Sequence, residues 1–554
     1  MMRGWHFVAA IILSAVIAAA LRLPDLDRRP MHGDEAVHAY KLETLRETGT
    51  YQYDPYEYHG PTLYYSTLPV LWINGVRTFG DMTETMLRVV PVLFGVGMIL
   101  LLPLFSGGVA RRTLVAAAVL TAASPALTFY SRYYIQESLL AFFTLAVLGC
   151  GWRYVHTQRR RWSLATGVCA GLMHATKETC IISFACMLIA LIGTLLWRRH
   201  CNRDAEPFGW RRRGCVLAVS VALGVTVSAL LYSGFLTNMR GPWDSVASYA
   251  IYLDRAGGGI HQQPWYYYLK LLLLSRYPGG PAWSEAFIVI MAALGGAVAL
   301  IGGGKIAGRP TAWSTRECHP LTPPHNHRSM VQFLAIYTLL MMVAYSIIPY
   351  KTPWSMVEFV QPMIVLAGIG AAVVMQNGNS LAASMRSRGR AIACRMATLA
   401  LILAAAVHLG WQAHRASFRF AGDYRNPYVY AQPLRDVMRL GDWIERLSAV
   451  HPDGEAMLTK VIAENPWPLP WYLRRLERVG YWDAEPPTDV DAPVVIVSDT
   501  FRSRVEERMH NDYHLSHYGL RPDVVLLVYV DRALWEAFAT QEGSNPGDAV
   551  GVGE

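Results

Sequence analysis

The sequence predicts an α-helical polytopic membrane protein with about eleven transmembrane helices and a small C-terminal α/β domain outside the cytoplasm. Composition is the first reason. Hydrophobic residues make up 53% of the 554-residue chain and charged residues only 16%, whereas soluble domains are about 45–50% apolar and about 25% charged. The second reason is that long apolar runs recur along the first 410 residues, with arginines gathered in every second connection. The third is a fall in hydrophobic density after Trp411.

The predicted spans are charge-poor runs, each close to the ~20 residues that a helix needs to cross a bilayer. Residues 114–130, for example, contain no charged side chain. Residues 1–22 also fit a cleaved signal peptide, because Arg3 precedes an apolar core that contains small residues. The eleven spans lie at about 6–22, 86–105, 113–130, 138–152, 162–176, 179–197, 214–235, 286–304, 330–349, 355–375 and 391–410.

Basic residues indicate the orientation. Twenty of them lie in or beside the even-numbered connections, which the positive-inside rule assigns to the cytoplasm. They are Arg111, Arg112, Arg153, Arg159 to Arg161, Arg198, Arg199, Arg203, Arg211 to Arg213, Lys305, Arg309, Arg316, Arg328, Arg386, Arg388, Arg390 and Arg395. The net charge of +9 therefore reflects membrane topology, and we expect no nucleic-acid partner. All eight cysteines fall in predicted spans or cytoplasmic connections, which predicts no disulfide framework.

The domain organisation follows from this orientation. Residues 1–410 form the predicted membrane domain, with large outer loops at about 23–85 and 236–285. Residues 411–540 alternate two apolar runs, APVVIVSD (492–499) and DVVLLVYV (523–530), with helix-like stretches, which is typical of an α/β domain. The tail 541–554 has no apolar periodicity and is predicted to be disordered. The protein is expected in the cell (inner or plasma) membrane, with membrane lipids around its spans.

Five polar motifs lie on the predicted outer side, and ionisable groups near a membrane core usually mark a site. The motifs are HGDEAVHAY (32–40), EYHGPTLYY (57–65), SRYYIQE (131–137), ATKET (175–179) and PYKTPW (349–354). In the first, Asp34 and Glu35 are adjacent, so at most one is expected to face a reacting centre while the other pairs or caps. One carboxylate is enough for a general base, although an acidic helix start is the alternative interpretation.

The basic residues of the other motifs suit a phosphate group. Lys177 and Lys351 are two of only six lysines in the chain, and a compact ammonium binds a phosphate oxygen as a point charge. Lysines that extend to the lipid headgroups are the alternative for both positions. Arg132 and Glu137 also fit a salt bridge that closes a tight turn. His32, His38 and His59 match no specific metal template, so we expect no required cofactor, with a divalent metal as the open alternative.

These motifs occur in the same order along the chain, and all on the outer side, as in the membrane glycosyltransferases of the GT-C superfamily, which this sequence therefore resembles. The likeness is to dolichyl-phosphate-mannose protein mannosyltransferases and to the aminoarabinose transferase of lipid A, over about residues 1–410. The string NPWPLPWYLRR (465–475) is similar, more narrowly, to a prokaryotic group associated with flippase activity in archaeal N-glycosylation. The resemblance implies that Asp34 is the catalytic carboxylate with Glu35 its neighbour. It implies that Lys177, Lys351 and Arg132 face a lipid phosphate, and His59 and Glu137 join the expected substrate-binding residues.

The expected function is transfer of a hexosyl or pentosyl group from a polyprenyl-phosphate donor to a glycan, lipid or protein acceptor, by direct inverting displacement. Two alternatives stay open. A non-catalytic, flippase-associated protein would bind the same phosphate and need no base. A transporter would need paired broken helices and ionisable groups at mid-membrane, which the acidic loop 23–85 does not provide. Fold resemblance alone does not establish activity.

Overall fold

The computed structural model describes residues 4–56, 59–201, 210–256, 261–301, 305–306, 309–310, 324–541 and 543. Its residues group into two compact units. One comprises residues 1–26, 48–67 and 88–428, and the other comprises residues 27–47, 68–87 and 429–554. The predicted domain boundary near residue 411 stays a prediction. The predicted disordered tail lies outside the described residues, apart from 541 and 543.

The described helices are mostly long and apolar in the first 414 residues and short thereafter. They are α1 Gly4–Arg22, α2 Gly33–Thr48, α3 Thr62–Ile73, α4 Glu84–Leu101, α5 Arg111–Ala123, α6 Pro125–Tyr130, α7 Glu137–Thr157, α8 Arg160–His174, α9 Cys180–Cys201, α10 Trp210–Tyr232, α11 Gly241–Ala256, α12 Tyr267–Leu273, α13 Ala286–Ile301, α14 Pro324–Ile347, α15 Val357–Ser384, α16 Arg388–His414, α17 Asp436–Val450, α18 Leu469–Tyr472, α19 Arg502–Glu506 and α20 Arg532–Gln541. The strands are β1 Lys305–Ile306, β2 Arg309–Pro310, β3 Thr459–Ile462, β4 Val479–Trp482, β5 Val494–Ser498, β6 Tyr513–Arg521 and β7 Val524–Asp531.

The predicted polytopic architecture is confirmed. Each of the eleven predicted spans coincides with helical structure, and eight helical stretches of the described chain are long and apolar enough to cross a membrane. The other three predicted spans correspond to shorter helices at 111–130, 160–174 and 286–301. The two connections predicted as large outer loops are partly helical, since α2 and α3 lie in the first and α11 and α12 in the second.

The span predicted at 113–130 is divided into α5 and α6 at Ser124. Pro125 has no backbone N–H and therefore cannot bond to the carbonyl four residues earlier. That carbonyl belongs to Thr121, and it accepts a hydrogen bond of 2.9 Å from the buried guanidinium of Arg22. On the other side of the break, Glu285 accepts hydrogen bonds from the hydroxyl of Ser124 and the N–H of Ala126. The two charged side chains satisfy the backbone groups that the break leaves unpaired.

Small residues let the membrane helices pack closely. The contact between α13 and α15 shows this at Gly370, where an added Cβ would lie 2.0 Å from the carbonyl oxygen of Met291. Only glycine at this position allows the two helix backbones to pack so closely. Small residues at such contacts are common between helices in membranes.

The second unit contains a five-stranded mixed sheet in the order β4-β3-β5-β7-β6. Strand β3 pairs in parallel with β4 and β5, and β7 pairs antiparallel with β5 and β6. Alternate residues of β5 face opposite sides of the sheet. Val494 and Ile496 join a core with α17 and α20, and Val495 and Val497 join a second core with Phe501. The small C-terminal α/β fold is therefore confirmed, including strands at both predicted apolar runs.

Candidate functional site

Helix α2 begins directly after His32, and its first turn carries the adjacent carboxylates of Asp34 and Glu35. The Glu35 side chain accepts a hydrogen bond of 2.9 Å from the backbone N–H of His32. In return, the Nδ1 atom of His32 accepts a hydrogen bond of 3.1 Å from the backbone N–H of Asp34. This arrangement resembles a capping box, with histidine in the place usually taken by serine or threonine, but its imidazole accepts from the N–H of the second helical residue and not of the third. The acidic helix start is thus part of the structure.

Glu35 is completely buried, and both of its carboxylate oxygens are engaged. One accepts the N–H of His32, and the other lies 2.9 Å from Nη2 of the buried Arg29. Arg29 also donates to the side chain of Gln432 at 3.1 Å and to the carbonyl of Pro30. A charge that is removed from water needs such partners. Glu35 therefore fixes the chain around the helix start and does not face solvent.

Asp34 differs from its neighbour, because about half of its side chain is exposed. Its carboxylate lies 3.7 Å from Nδ1 of His32, which is too far for a hydrogen bond. The Nδ1 atom already accepts the N–H of Asp34, so the proton of a neutral His32 is on Nε2, which lies 3.1 Å from the carbonyl oxygen of Tyr430. The accessible carboxylate of the pair is that of Asp34, as a general base requires.

In the first unit, the HGP segment packs against the turn that contains ATKET. The N–H of Thr62 donates to the carbonyl of Ala175 at 3.1 Å, and the hydroxyls of Thr62 and Thr176 lie 2.7 Å apart. A Cβ atom at Gly60 would lie 2.2 Å from the carbonyl oxygen of Ala175, so glycine is required there. The tertiary structure thereby joins two motifs that are more than 110 residues apart in sequence.

Glu178 is the buried carboxylate at this junction. It accepts a hydrogen bond of 2.6 Å from the hydroxyl of Tyr53 and lies 2.8 Å from Nδ1 of His59. Burial by itself raises the pKa of Glu178, but attraction to His59 and the hydrogen bonds from His59 and Tyr53 outweigh burial and lower the pKa to about 2. Sequence reasoning did not single out Glu178, although it stands directly after Lys177.

Lys177 forms an ion pair with Glu137, with 2.5 Å between Nζ and Oε1. The other oxygen of Glu137, Oε2, is buried and has no hydrogen-bond partner among the residues that the structure describes. The predicted alternative of a salt bridge between Arg132 and Glu137 is therefore wrong. Lys177 is only 11% exposed, which does not fit a lysine that extends to the lipid headgroups.

Arg132 instead binds backbone carbonyls at the end of α1. Its guanidinium donates to the carbonyls of Arg22 and Pro24 at 2.7 Å each and to that of Asp25 at 2.9 Å. The same group lies over the ring of Phe418 at 4.6 Å. The last carbonyls of a helix lack intrahelical partners. Arg132 supplies such partners and fixes the chain that leaves α1.

Lys351 is buried, and its ammonium group donates to the carbonyls of Ile348 and, at 3.1 Å, Gln263. Burial lowers the pKa of Lys351. This lysine therefore does not extend to the headgroups either. It ties the connection before α15 to the segment before α12, and its contact with a lipid phosphate stays a prediction.

The structure brings some of the predicted site residues together. Within the first unit, Glu137 contacts Lys177, and His59 contacts the acid next to Lys177 in sequence. Asp34 and Glu35 belong to the second unit. A second buried acid that sequence reasoning missed is Glu358, which accepts hydrogen bonds from the hydroxyls of Ser183 and Thr144. Among the described residues, no group of three His, Cys, Asp or Glu side chains is placed to hold a metal ion.

Comparison with known proteins identifies one family and several similar structures. The family described as dolichyl-phosphate-mannose-protein mannosyltransferase matches residues 70–232. That range includes Arg132, Glu137 and Lys177, but it begins after Asp34. Among curated proteins, no sequence matches this chain significantly.

Solved structures cover almost the whole chain. ArnT from Cupriavidus metallidurans in the apo state is 16% identical with a TM-score of 0.57, covering 94% of this chain and 98% of ArnT. ArnT bound to undecaprenyl phosphate is 14% identical with a TM-score of 0.60, covering 95% and 99%. The archaeal oligosaccharyltransferase AglB from Archaeoglobus fulgidus, in complex with an inhibitory peptide and a dolichol-phosphate, is 14% identical. Its TM-score is 0.54, covering 90% of this chain and 70% of AglB.

The narrower likeness of residues 465–475 to the flippase-associated group stays a prediction, whereas the broader resemblance is confirmed. The chain has the fold of the GT-C membrane glycosyltransferases and resembles both the dolichyl-phosphate-mannose-protein mannosyltransferases and ArnT.

Proposed function

We propose that this protein transfers a hexosyl or pentosyl group from a polyprenyl-phosphate-linked donor to an acceptor on the outer face of the cell membrane. The observation that carries the proposal is the difference between two adjacent carboxylates. Glu35 is buried with both oxygens engaged, and Asp34 is half exposed. A protein that only binds or moves lipid-linked sugars needs no accessible base. The likeness in fold to ArnT bound to undecaprenyl phosphate supports a lipid phosphate as the donor's carrier.

In the proposed reaction, Asp34 accepts the proton of an acceptor hydroxyl while the oxygen of that hydroxyl attacks the anomeric carbon of the sugar. A new carbon–oxygen bond forms as the bond from the anomeric carbon to the phosphate oxygen breaks. The polyprenyl phosphate leaves with that electron pair. A single displacement from the opposite face inverts the anomeric centre.

We assign Lys177 the role of stabilising the departing phosphate with its positive charge. Lys351 and Arg132 are further candidates for this role. Preorganised charges of this kind stabilise charge that develops in a transition state. The ion pair with Glu137 holds the ammonium of Lys177 in place, and holding a group in place in advance avoids its reorganisation during the reaction. In the structure Lys351 and Arg132 bind backbone carbonyls, so their assignment rests on the family resemblance.

In the proposed reaction, the sugar is transferred outside the cytoplasm and without a cofactor. The gathering of basic residues in alternate connections supports an orientation with the motifs and the C-terminal domain outside the cytoplasm, where a lipid-borne donor would replace soluble nucleotide sugars. We propose that transfer requires no cofactor. Chelation with EDTA tests this point, since loss of activity that added Mg²⁺ or Mn²⁺ restores would establish a divalent metal instead.

Comparative mass spectrometry tests the function and identifies the substrates. Lipids and surface glycans from cells that contain the protein are compared with those from cells that lack it. We expect one sugar to be missing from a single class of glycan, lipid or protein in the deletion cells. The purified protein in vesicles should then transfer that sugar from its synthetic polyprenyl-phosphate donor. Unchanged glycans together with no transfer in vesicles would overturn the proposal in favour of a transporter, and altered glycans without transfer would favour a flippase-associated role.

A further inference from the structure

Glu178 is held on both sides by polar side chains from one distant segment. It is completely buried in the turn between α8 and α9. Oε1 accepts the Tyr53 hydroxyl at 2.6 Å, and Oε2 lies 2.8 Å from Nδ1 of His59. Both donors precede α3, whereas Glu178 is about 120 residues further along the chain. The carboxylate is therefore a cross-link between two parts of the candidate site.

The cross-link selects one tautomer of a neutral His59 ring. A carboxylate that accepts from Nδ1 keeps a proton on that nitrogen, so the lone pair of a neutral ring is on Nε2. The two ring nitrogens lie on different edges, and 23% of the His59 side chain is exposed. A buried carboxylate that orients an imidazole in this way is a common device in catalytic and metal sites.

The backbone around the pair has little freedom to adjust. Gly60 follows His59 and is packed against the carbonyl of Ala175, with no room for a Cβ atom. Thr62 binds the same carbonyl through its N–H and its hydroxyl. Lys177, next to Glu178, is fixed by Glu137. Within this backbone, the contact with Glu178 restricts rotation of the His59 ring.

On the basis of the function proposed above, we propose that Glu178 is a positioning residue for sugar transfer and acts through His59. In this arrangement His59 contacts an oxygen of the sugar donor, and Glu178 holds the ring in the orientation and tautomer that this contact needs. Tyr53 shares the carboxylate and contributes to stability alone.

A double-mutant cycle tests the proposal. Glu178→Gln keeps the size of the side chain but removes its charge. His59→Asn retains an N–H donor near the position of Nδ1 and removes the rest of the ring. Each single variant should lower kcat by about 10- to 100-fold, a typical effect of losing an orienting partner or the group it orients. If Glu178 acts through His59, the double variant should be no slower than His59→Asn, because residues that act as one unit are not additive.

The measurement uses full-length protein in vesicles with the polyprenyl-phosphate sugar that the wild-type protein turns over, at a temperature below every variant's melting temperature. Tyr53→Phe is the matched control. It removes the other hydrogen bond to Glu178, so its melting temperature should fall while kcat stays near the wild-type value. Additive losses in the double variant, or an equal kcat loss in Tyr53→Phe, would assign Glu178 a purely structural role. Absence of turnover by the wild-type protein would instead refute the proposed function itself.

Discussion

Glu35 and His32 cap the first turn of α2 together, with 2.9 Å between the Glu35 carboxylate and the backbone nitrogen of His32. The His32 imidazole completes the cap by accepting the N–H of Asp34. Because the cap and Arg29 engage Glu35 on both oxygens, the two neighbouring acids have different environments. The first two predictions separate their roles.

Asp34→Asn should reduce turnover by about 100-fold or more while donor binding is largely kept, because the amide retains the shape of the side chain and removes the base. Transfer rate and donor affinity of the purified variant measure both effects. Glu47→Gln, which neutralises an exposed acid in the last turn of the same helix, is the matched control and should behave as wild type. An Asp34→Asn protein with normal transfer would refute the catalytic assignment.

Glu35→Gln should destabilise the protein by about 3 kcal/mol, because it removes the carboxylate that is paired with the buried guanidinium of Arg29. Asp34→Asn should cost much less, since Asp34 is half exposed. Unfolding in detergent measures the difference. Adding Arg29→Met to Glu35→Gln should recover part of the loss by removing the buried positive charge. Equal stability of Glu35→Gln and wild type would contradict the observed ion pair.

Lys177→Ala and Lys351→Ala should each impair transfer more than they impair folding, because a departing phosphate loses a donor worth several kcal/mol in a desolvated site. Lys177→Arg and Lys351→Arg should rescue only partly, since the guanidinium is larger and planar. Transfer rate and donor affinity are compared at matched expression and stability, with the exposed Lys270 changed to alanine as control. Wild-type behaviour in all four variants would remove both lysines from the site.

Because of Glu178, the stability of the folded protein should decrease as the pH falls in the acid range. Its folded pKa of about 2 lies below the ordinary value of 4.5, so its stabilising contribution is complete above about pH 4.5 and is lost as pH falls towards 2. The shift corresponds to on the order of 3 kcal/mol. Melting temperatures between pH 6 and pH 3 should therefore fall less in Glu178→Gln than in wild type. Parallel curves for the two proteins would show that the carboxylate is not stabilised by folding.

Topology is tested by single cysteines in a cysteine-free background. Replacements at the exposed positions Gln52 and Asp499 should react with a membrane-impermeant thiol reagent on intact cells or spheroplasts, whereas one at the exposed Arg160 should require lysis. The reason is the gathering of basic residues in alternate connections. Labelling at Asp499 only after lysis would place the C-terminal domain in the cytoplasm.

Local sequence patterns predicted the membrane helices, the apolar strands β5 and β7 of the sheet and the motifs that carry the candidate site residues. These features depend on local composition: a run of about twenty apolar residues has few ways to satisfy its backbone in a bilayer except as a helix. The adjacency of Asp34 and Glu35 also predicted that at most one of them faces a reacting centre while the other pairs or caps.

The folded structure was needed to show that Asp34 is the accessible member of the pair, and which partners the charged residues have. Arg29 and Gln432 bury Glu35, although Gln432 is about 400 residues away in sequence. Lys177 pairs with Glu137, which sequence proximity had suggested for Arg132. Glu178 contacts Tyr53 and His59, which are more than 100 residues away in sequence. Ion pairs and hydrogen bonds act over a few ångströms, so their partners are determined by how distant segments pack and not by spacing along the chain.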